Sequence, residues 1–272
     1  SAAADRAGNY FGTFQGLPVR GVRLLGGSMI GLVTGANRGL GYEMVKEGLL
    51  RGHTMLAGCR KGADEAYTRD LLELKTKYAD SLLILEMDVT DEEMVKGAAE
   101  RLRQKYGHID FLVNNAGVLF EKMVMPGDAV ADLNVDMFRK TLDVNVTGTA
   151  IVLKYFIGLL YASEDACIMN ITSEAGHLTP QGYNYLAYSV SKHAANMYTQ
   201  KIRNYLAEEK ADRHMRIYMI HPGRMDTIMG KENAQIPPSE SAIGLFDILD
   251  RKKQIPDMDV PFINYRGEPM PY

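Results

Sequence analysis

The sequence lacks tryptophan, has only two cysteines and carries no large excess of charge of either sign. Cys59 and Cys167 each lie in an apolar, strand-like stretch, so we expect no disulfide framework and a reducing, cytoplasmic location. With 31 basic and 34 acidic residues, the net charge of −3 gives no overall field that would attract nucleic acid or an anionic membrane. Neither is expected as a partner, and no metal site is expected.

Long apolar runs are also missing. None reaches the ~18 to 20 residues that a membrane-spanning helix requires, and the segment 151–160 is interrupted by Lys154. Residues 1–28 are rich in Ala, Gly and Arg, contain no apolar stretch typical of a signal peptide, and precede a strong strand pattern that starts at Met29. We expect 1–28 to be a vector-derived leader or a disordered arm, and 29–272 to form a single domain.

Short apolar runs alternate with segments long enough to be helices, and this alternation indicates parallel strands joined by helical crossovers. A sheet covered on both faces gives nearly unbroken apolar strands, as in 82–85. The sequence therefore predicts an α/β fold: a doubly wound, mostly parallel sheet of the Rossmann type, flanked by helices on both faces. The expected strands are 29–34, 54–58, 82–87, 111–114, 166–171 and 216–221.

A glycine-rich turn directly follows the first expected strand, with Gly35, Gly39 and Gly41 in the segment 34–41. Glycine lets the backbone turn sharply and lets a pyrophosphate approach the N–H groups at a helix N-terminus. Tight turns also use glycine for purely structural reasons. Because this one follows the first strand of an alternating chain, the pattern favours dinucleotide binding.

Tyr188 and Lys192 are four residues apart and would lie on the same face of a helix. A neighbouring cation favours the phenolate and lowers the pKa of a tyrosine from its usual ~10, which suits proton exchange with a carbonyl oxygen. An isolated pair of this kind is more often a core tyrosine beside a solvated lysine, so its meaning depends on the rest of the chain.

The spacing of the three glycines resembles that of the short-chain dehydrogenase/reductase family, and the resemblance covers 29–272. The short segment after Thr227 and the ending 262–272 are similar to the sniffer and C-factor type carbonyl reductases within that family. Further family motifs occur in the expected order: Asp88-Val89, Asn114-Asn115-Ala116-Gly117, Asn145, Ser173, Tyr188 with Lys192, and Pro222-Gly223.

The resemblance implies four catalytic residues. Tyr188 would be the acid/base, and Ser173 would hydrogen-bond the substrate oxygen. Lys192 would bind the nicotinamide ribose and lower the pKa of the tyrosine, and Asn145 would hold a water of the proton relay. Thr172 is a rival hydroxyl, but the register of the family motif favours Ser173. Alone, Asn145 would more often be a helix-kinking or backbone-bonding asparagine.

The resemblance also implies a set of cofactor contacts. Asp88 would hold the adenine edge, the turn 114–117 would pass near the ribose, and Thr227 would hydrogen-bond the carboxamide. Taken singly, an acid after a strand is commonly a helix cap and Asn-Asn-Ala-Gly is commonly a turn. The expected cofactor-binding residues are Gly35, Asn37, Arg38, Gly39, Leu40, Gly41, Arg60, Asp88, Val89, Asn115, Ala116, Gly117, Tyr188, Lys192, Pro222, Gly223 and Thr227.

The residues after the second strand indicate which dinucleotide binds. An acid there would bond the ribose 2′-OH, whereas this chain has Cys59-Arg60-Lys61, and Arg38 adds a second cation. Guanidinium groups suit bidentate phosphate binding, so NADP(H) is expected in preference to NAD(H). The alternative is that Arg38 and Arg60 are solvated surface charges.

We therefore expect an NADP(H)-dependent oxidoreductase that moves a hydride between nicotinamide and a carbonyl or alcohol substrate, most simply a carbonyl reductase. A 3-oxoacyl-type reductase and a catalytically idle NADP-sensing protein remain alternatives. Apolar helices at 137–160 and 185–207 are compatible with a homodimer or homotetramer. An open pocket for an apolar carbonyl compound would involve Leu178, Tyr183, Tyr185 and Met229, which could equally be ordinary packing residues.

Overall fold

The computed structural model describes residues 27–121, 127–179, 182–227 and 234–272. The expected leader lies outside the described residues except for its last two positions, and Met229 lies outside them as well. Residues 228–233 of the short segment after Thr227 lie outside them too.

A seven-stranded sheet with all neighbouring strands parallel forms the centre of the molecule, in the order β3-β2-β1-β4-β5-β6-β7. The predicted doubly wound sheet is confirmed, and each predicted strand is present to within one residue at either end. A seventh strand was not predicted, because three residues are too short to show a periodicity. The strands are β1 Ile30–Thr34, β2 Thr54–Cys59, β3 Leu82–Glu86, β4 Phe111–Asn114, β5 Cys167–Ile171, β6 Arg216–His221 and β7 Phe262–Asn264.

Helices cover both faces of the sheet and bury two separate apolar layers. On one face α1, α2 and α7 pack against strand residues such as Val33, and on the other α3, α5 and α6 pack against residues such as Leu32. Alternate strand residues face opposite layers, which is why the strands are apolar throughout. The helices are α1 Gly39–Leu50, α2 Glu65–Lys77, α3 Glu92–Tyr106, α4 Val135–Leu142, α5 Gly148–Tyr161, α6 Leu186–Glu209 and α7 Pro238–Leu249.

α4 and α5 form one continuous helix of 27 residues, joined by the π-helical turn Asp143–Thr147. No uninterrupted apolar run reaches membrane-spanning length, yet this helix as a whole is long and apolar enough to cross a membrane by length and composition. Phe156 and Leu160 are fully buried in the core, and 44% of the helix's most apolar window is buried inside the protein. Core packing therefore accounts for part of its hydropathy.

Candidate active site

A cleft of about 1480 Å³ opens along the carboxyl ends of the central strands. This edge of a doubly wound sheet is where ligands of such folds bind. Every predicted site residue lines the cleft except Gly41 and Asn145. The fold therefore brings motifs that are spread over nearly 200 positions of the chain, from Gly35 to Thr227, into one continuous site.

The glycine-rich turn is held close to the segment that follows β4. Gly35 has a positive φ of 65°, and a Cβ on Gly41 would lie only 2.3 Å from the carbonyl oxygen of Gly35. Thr34 Oγ1 accepts hydrogen bonds from the N–H groups of Asn115 and Ala116, both at 3.0 Å. The turn thus needs glycine for its conformation and close packing, and it leaves the N-terminus of α1 open to the cleft.

Asn145 lies in the π-helical turn and is almost fully buried. Its Oδ1 accepts from the N–H of Val118 at 2.8 Å, and its Nδ2 donates to the Val118 carbonyl and to Ser191 Oγ. It is therefore both helix-distorting and backbone-bonding. A Cβ on Gly117 would lie 3.3 Å from Asn145 Oδ1 and 3.6 Å from Lys192 Nζ. Glycine at this position therefore lets the segment after β4 lie close to both the π-helical turn and α6. π turns of this kind are frequent at functional sites.

The hydroxyl of Ser173 lies close enough to the hydroxyl of Tyr188 to lower the pKa of the phenol. Ser173 Oγ also accepts from the N–H of Ala175 at 3.1 Å, which fixes the serine side chain. Thr172, the rival hydroxyl, is buried and donates to the carbonyl of Ile220 at 3.4 Å. Ser173 is therefore the hydroxyl that pairs with the tyrosine, as the motif register predicts.

Lys192 lies beneath Tyr188, with Nζ 5.4 Å from the centre of the phenol ring. The ammonium donates to the carbonyl oxygen of Ile171 at 2.9 Å and is buried. Burial lowers the pKa of Lys192 to about 8, because charge is disfavoured away from water. The lysine is thus fixed in position and close to losing its proton at mildly alkaline pH.

The expected lowering of the Tyr188 pKa is not found. Burial raises this pKa to about 12, the neighbouring hydroxyl of Ser173 lowers it, and the charge of Glu174 raises it. Desolvation dominates because the ammonium of Lys192 faces the ring rather than the hydroxyl oxygen. Tyr188 is therefore a neutral phenol at physiological pH, which is the form that donates a proton.

Asp88 accepts hydrogen bonds at Oδ1 from the N–H and the hydroxyl of Thr90, at 3.0 and 2.8 Å. α3 is capped by Asp91, whose side chain accepts from Met94 N–H at 3.0 Å. Asp88 is thus not the helix cap that its position alone would allow. It lines the cleft beside Val89.

The segment after β6 closes the cleft on its other side. Gly223 has a positive φ of 87°, and a Cβ there would lie 2.7 Å from Ile236 Cδ1. Thr227 Cγ2 lies 3.5 Å from the Cβ position of Gly39. This segment therefore meets the glycine-rich turn, and both border the same space.

An ion pair that the sequence did not predict lies beside Ser173. Glu174 Oε1 is 2.5 Å from Arg224 Nε, and both residues line the cleft. The Glu174 N–H also donates to His221 Nδ1 at 3.2 Å. The ring of His177 also contacts the backbone carbonyl of Glu174. The pairing joins residues 50 positions apart, so no local pattern reveals it.

Glu121 was also missed, although it holds the first turn of the helix that carries Tyr188. Its two carboxylate oxygens accept from the N–H groups of Ala187 and Tyr188, at 2.9 and 2.8 Å. The residue before this helix, Tyr185, has a left-handed φ of 57° and provides no side-chain cap. A buried carboxylate from the segment after β4 therefore replaces the usual local N-cap.

Replacing Glu121 with Ala should loosen this helix start. Two N–H groups would lose their acceptor, at a cost of about 1–3 kcal/mol. We expect faster amide hydrogen exchange at Ala187 and Tyr188, by roughly tenfold or more, measured by mass spectrometry on peptides from the start of α6. Glu93→Ala, which removes an exposed carboxylate on α3, is the matched control. Unchanged exchange in Glu121→Ala would show that these bonds do not hold the turn.

The short chain dehydrogenase family matches residues 30–237. The NADP-dependent 3-hydroxy acid dehydrogenase of Schizosaccharomyces pombe is 30% identical over 200 residues, which cover 72% of this chain and 71% of that protein. Two of the solved structures with a similar fold are the NADPH-bound carbonyl reductase from chicken fatty liver and the carbonyl reductase Sniffer of Drosophila melanogaster.

The chicken enzyme is 24% identical with a TM-score of 0.77, covering 90% of this chain and 99% of that one. Sniffer is 22% identical with a TM-score of 0.77, covering 90% of this chain and all of its own. At these identities the two structures show a shared fold. The match to the family covers residues 30–237, which is more than half of the chain, and it assigns the chain to that family. This chain belongs to the short-chain dehydrogenase/reductase family of oxidoreductases.

Proposed function

We propose that this protein is an NADP(H)-dependent carbonyl reductase. The observation that carries the proposal is the neighbouring pair of hydroxyls, Ser173 and Tyr188, which faces the same cleft as the glycine-rich turn, with the Lys192 ammonium beneath the phenol ring. A proton donor, a second hydroxyl and a cation are the protein groups that carbonyl reduction requires.

The side chains have distinct tasks in this proposal. Tyr188 is a neutral phenol and donates its proton to the carbonyl oxygen, and Ser173 orients that oxygen with its own hydroxyl. Lys192, held by the carbonyl of Ile171, keeps positive charge beside the developing phenolate. The nicotinamide dinucleotide, when bound, supplies the hydride.

The residues present fit such a dinucleotide. At Gly35 and Gly41 a side chain would collide with neighbouring backbone, so the turn presents backbone N–H groups at the start of α1. Asp88 Oδ1 is used by Thr90, and its carboxylate borders the cleft where an adenine edge would lie. The glycine-rich turn and the hydroxyl pair line one cleft, as a molecule that spans both requires.

We propose a preference for NADP(H) over NAD(H) because of Arg38 and Arg60. Both are exposed and line the cleft, and neither pairs with a carboxylate among the described residues. No acid follows β2 at the position where one would bond a ribose 2′-OH. Two unpaired guanidinium groups are suited to a 2′-phosphate. The NADP dependence of the Schizosaccharomyces pombe relative supports this preference.

For the substrate we propose an apolar carbonyl compound. Leu178 and Tyr183 line the cleft and are 78% and 76% exposed, as residues at an open and permissive entrance would be. Assembly through α6 into a homodimer or homotetramer is supported by the exposed apolar side chains of Val190 and Met197 on that helix. The buried thiols of Cys59 and Cys167 support a cytoplasmic location.

Tyr188→Phe tests the proposal directly. The substitution removes the proton donor and keeps the ring, so the kcat of NADPH-dependent carbonyl reduction should fall by at least ~100-fold, the scale of general acid catalysis. The Kd for NADPH, measured by fluorescence titration, should stay nearly unchanged. Tyr198→Phe, which removes a hydroxyl from the same helix outside the cleft, is the control. Activity that survives in Tyr188→Phe would refute the role of the phenol.

A wild-type protein that binds NADPH but oxidises it with no aldehyde, ketone or quinone would instead indicate the idle sensor. A broad carbonyl panel, run with NADPH and NADH in parallel, distinguishes these outcomes. Reduction of carrier-bound 3-oxoacyl groups alone would indicate the acyl-chain reductase.

Removal of the two arginines should change cofactor preference. Arg38→Ala and Arg60→Ala should each lower kcat/KM for NADPH by about 10- to 100-fold, the scale of a lost charge-assisted contact, with little effect on kcat/KM for NADH. Lys61→Ala removes an exposed neighbouring cation that does not line the cleft and serves as the control. Equal losses with both cofactors would contradict recognition of a 2′-phosphate.

The pH dependence follows from the two shifted groups. Tyr188 keeps its proton until about pH 12, so it does not limit reduction in the usual range. The lowered pKa of Lys192 means that its ammonium is lost as the pH rises through about 8. The kcat/KM for carbonyl reduction should therefore be level below that pH and fall above it. Steady-state rates at saturating NADPH, with thermal melting at each pH, measure this; a level rate to pH 10 would contradict a need for the charge.

A further inference from the structure

The ion pair of Glu174 and Arg224 lies at the substrate end of the cleft. Glu174 directly follows Ser173 in the chain, and Arg224 directly follows the Pro222-Gly223 segment after β6. The side chains meet at 2.5 Å, and both border the space that also contains Ser173 and Tyr188. The charge of Glu174 acts on the phenol of Tyr188, so a substrate beside the two hydroxyls lies near this pair.

The backbone holds both partners in place. Glu174 begins the short 3-10 turn Glu174–Gly176, and its N–H is bonded to His221 Nδ1. The carbonyl of Arg224 accepts from the N–H groups of Gln235 and Ile236, at 2.7 and 3.2 Å. Since neither residue lies on a free loop end, the pair is an organised feature of the cleft wall.

The charges at this end of the cleft cancel. Burial raises the pKa of Glu174, but the hydrogen bond and the charge of Arg224 outweigh it, so the pKa is lowered and the carboxylate is ionised at neutral pH. Burial lowers the pKa of His221, which leaves that ring uncharged. Arg224 is thus already neutralised by Glu174.

The other basic side chains along the described cleft do not supply a free cation here. Arg38 and Arg60 belong to the glycine-rich turn and to the residues after β2, and Lys192 is buried against the carbonyl of Ile171. A carboxylate brought in on a substrate would meet the ionised Glu174, and no unpaired arginine or lysine lies beside it among residues 27–121, 127–179, 182–227 and 234–272. Like charges placed together in this way oppose binding strongly.

We infer that the Glu174–Arg224 pair is a specificity element that makes the cleft accept uncharged carbonyl compounds and reject those that carry a carboxylate near the reacting carbon. This inference rests on the proposed reductase function and deepens it. Rejection by an unfavourable charge is a common means of specificity. The Schizosaccharomyces pombe relative is named for 3-hydroxy acids, which carry a carboxylate, so the inference predicts a different substrate range for this chain.

The two residues of the pair can be substituted with little loss of stability. The side chains of Arg224 and Glu174 are 48% and 34% exposed, and partly exposed ion pairs contribute little to stability. Glu174→Gln keeps the size of the side chain but removes its charge, which leaves the guanidinium of Arg224 with an uncompensated charge. A guanidinium in that state binds carboxylates well. The substitution should therefore admit the substrates that the wild type rejects.

The test compares 4-formylbenzoate with its methyl ester, which present the same aldehyde with and without a charge. The measured quantity is the ratio of kcat/KM for the acid to kcat/KM for the ester, with NADPH. Using a ratio cancels any general effect of a substitution on turnover. The wild type should favour the ester by at least about tenfold, the factor that corresponds to ~1.4 kcal/mol.

Glu174→Gln should raise the ratio of acid to ester by about tenfold or more. Arg224→Gln, which leaves Glu174 without its counter-charge, should lower the ratio below that of the wild type, and the double variant should lose the gain seen in Glu174→Gln. Opposite effects of the two single variants are the signature of charge selection. A wild type that uses both aldehydes equally, or variants that do not move the ratio, would overturn the inference.

A binding measurement separates this inference from the proposed function. Benzoate and benzamide can be titrated into the NADPH complex by calorimetry, which requires no turnover. The wild type should bind benzamide more tightly, and Glu174→Gln should reverse the order. Absence of aldehyde reduction with this pattern of binding would refute the reductase and keep the charge selection. Reduction of the ester with no discrimination in either measurement would refute the charge selection alone.

Discussion

The attachment of one helix to the end of one strand is the constraint on which the site depends. Lys192 donates from a buried position to the carbonyl of Ile171, the last residue of β5, and Glu121 binds the first N–H groups of α6. Buried charged groups are stable only when their hydrogen bonds are satisfied, so these contacts restrict where the helix can lie. The position of Tyr188 relative to Ser173 follows from that placement.

The burial that fixes Tyr188 and Lys192 in place also sets their protonation states. Tyr188 and Lys192 both shift toward their neutral forms, since desolvation disfavours a phenolate and an ammonium alike. A neutral phenol is suited to giving a proton to a carbonyl oxygen, and recovery of that proton by the phenolate is correspondingly favourable. The electrostatics of the site therefore differ from a simple ion pair of tyrosinate and lysine.

The cleft has two ends of different charge. Near the glycine-rich turn, Arg38 and Arg60 have no carboxylate partner among the described residues, whereas beside the hydroxyls Arg224 is neutralised by Glu174. A cationic end matches phosphate groups, and a neutralised end matches an uncharged carbonyl compound. In the proposed function, the two ligands are therefore recognised by different charges at the two ends of one groove.

The sequence by itself determined the parallel sheet, because strands buried on both faces must be apolar throughout, and it determined the site motifs, because turn glycines and an i, i+4 pair are local patterns. It could not show β7, which is too short for a period, nor the contacts of Glu121 with α6 and of Glu174 with Arg224. Those contacts join residues 50 or more positions apart. Only the tertiary structure decided the pKa of Tyr188 as well, since desolvation depends on everything packed around the phenol and not on its neighbours in the chain.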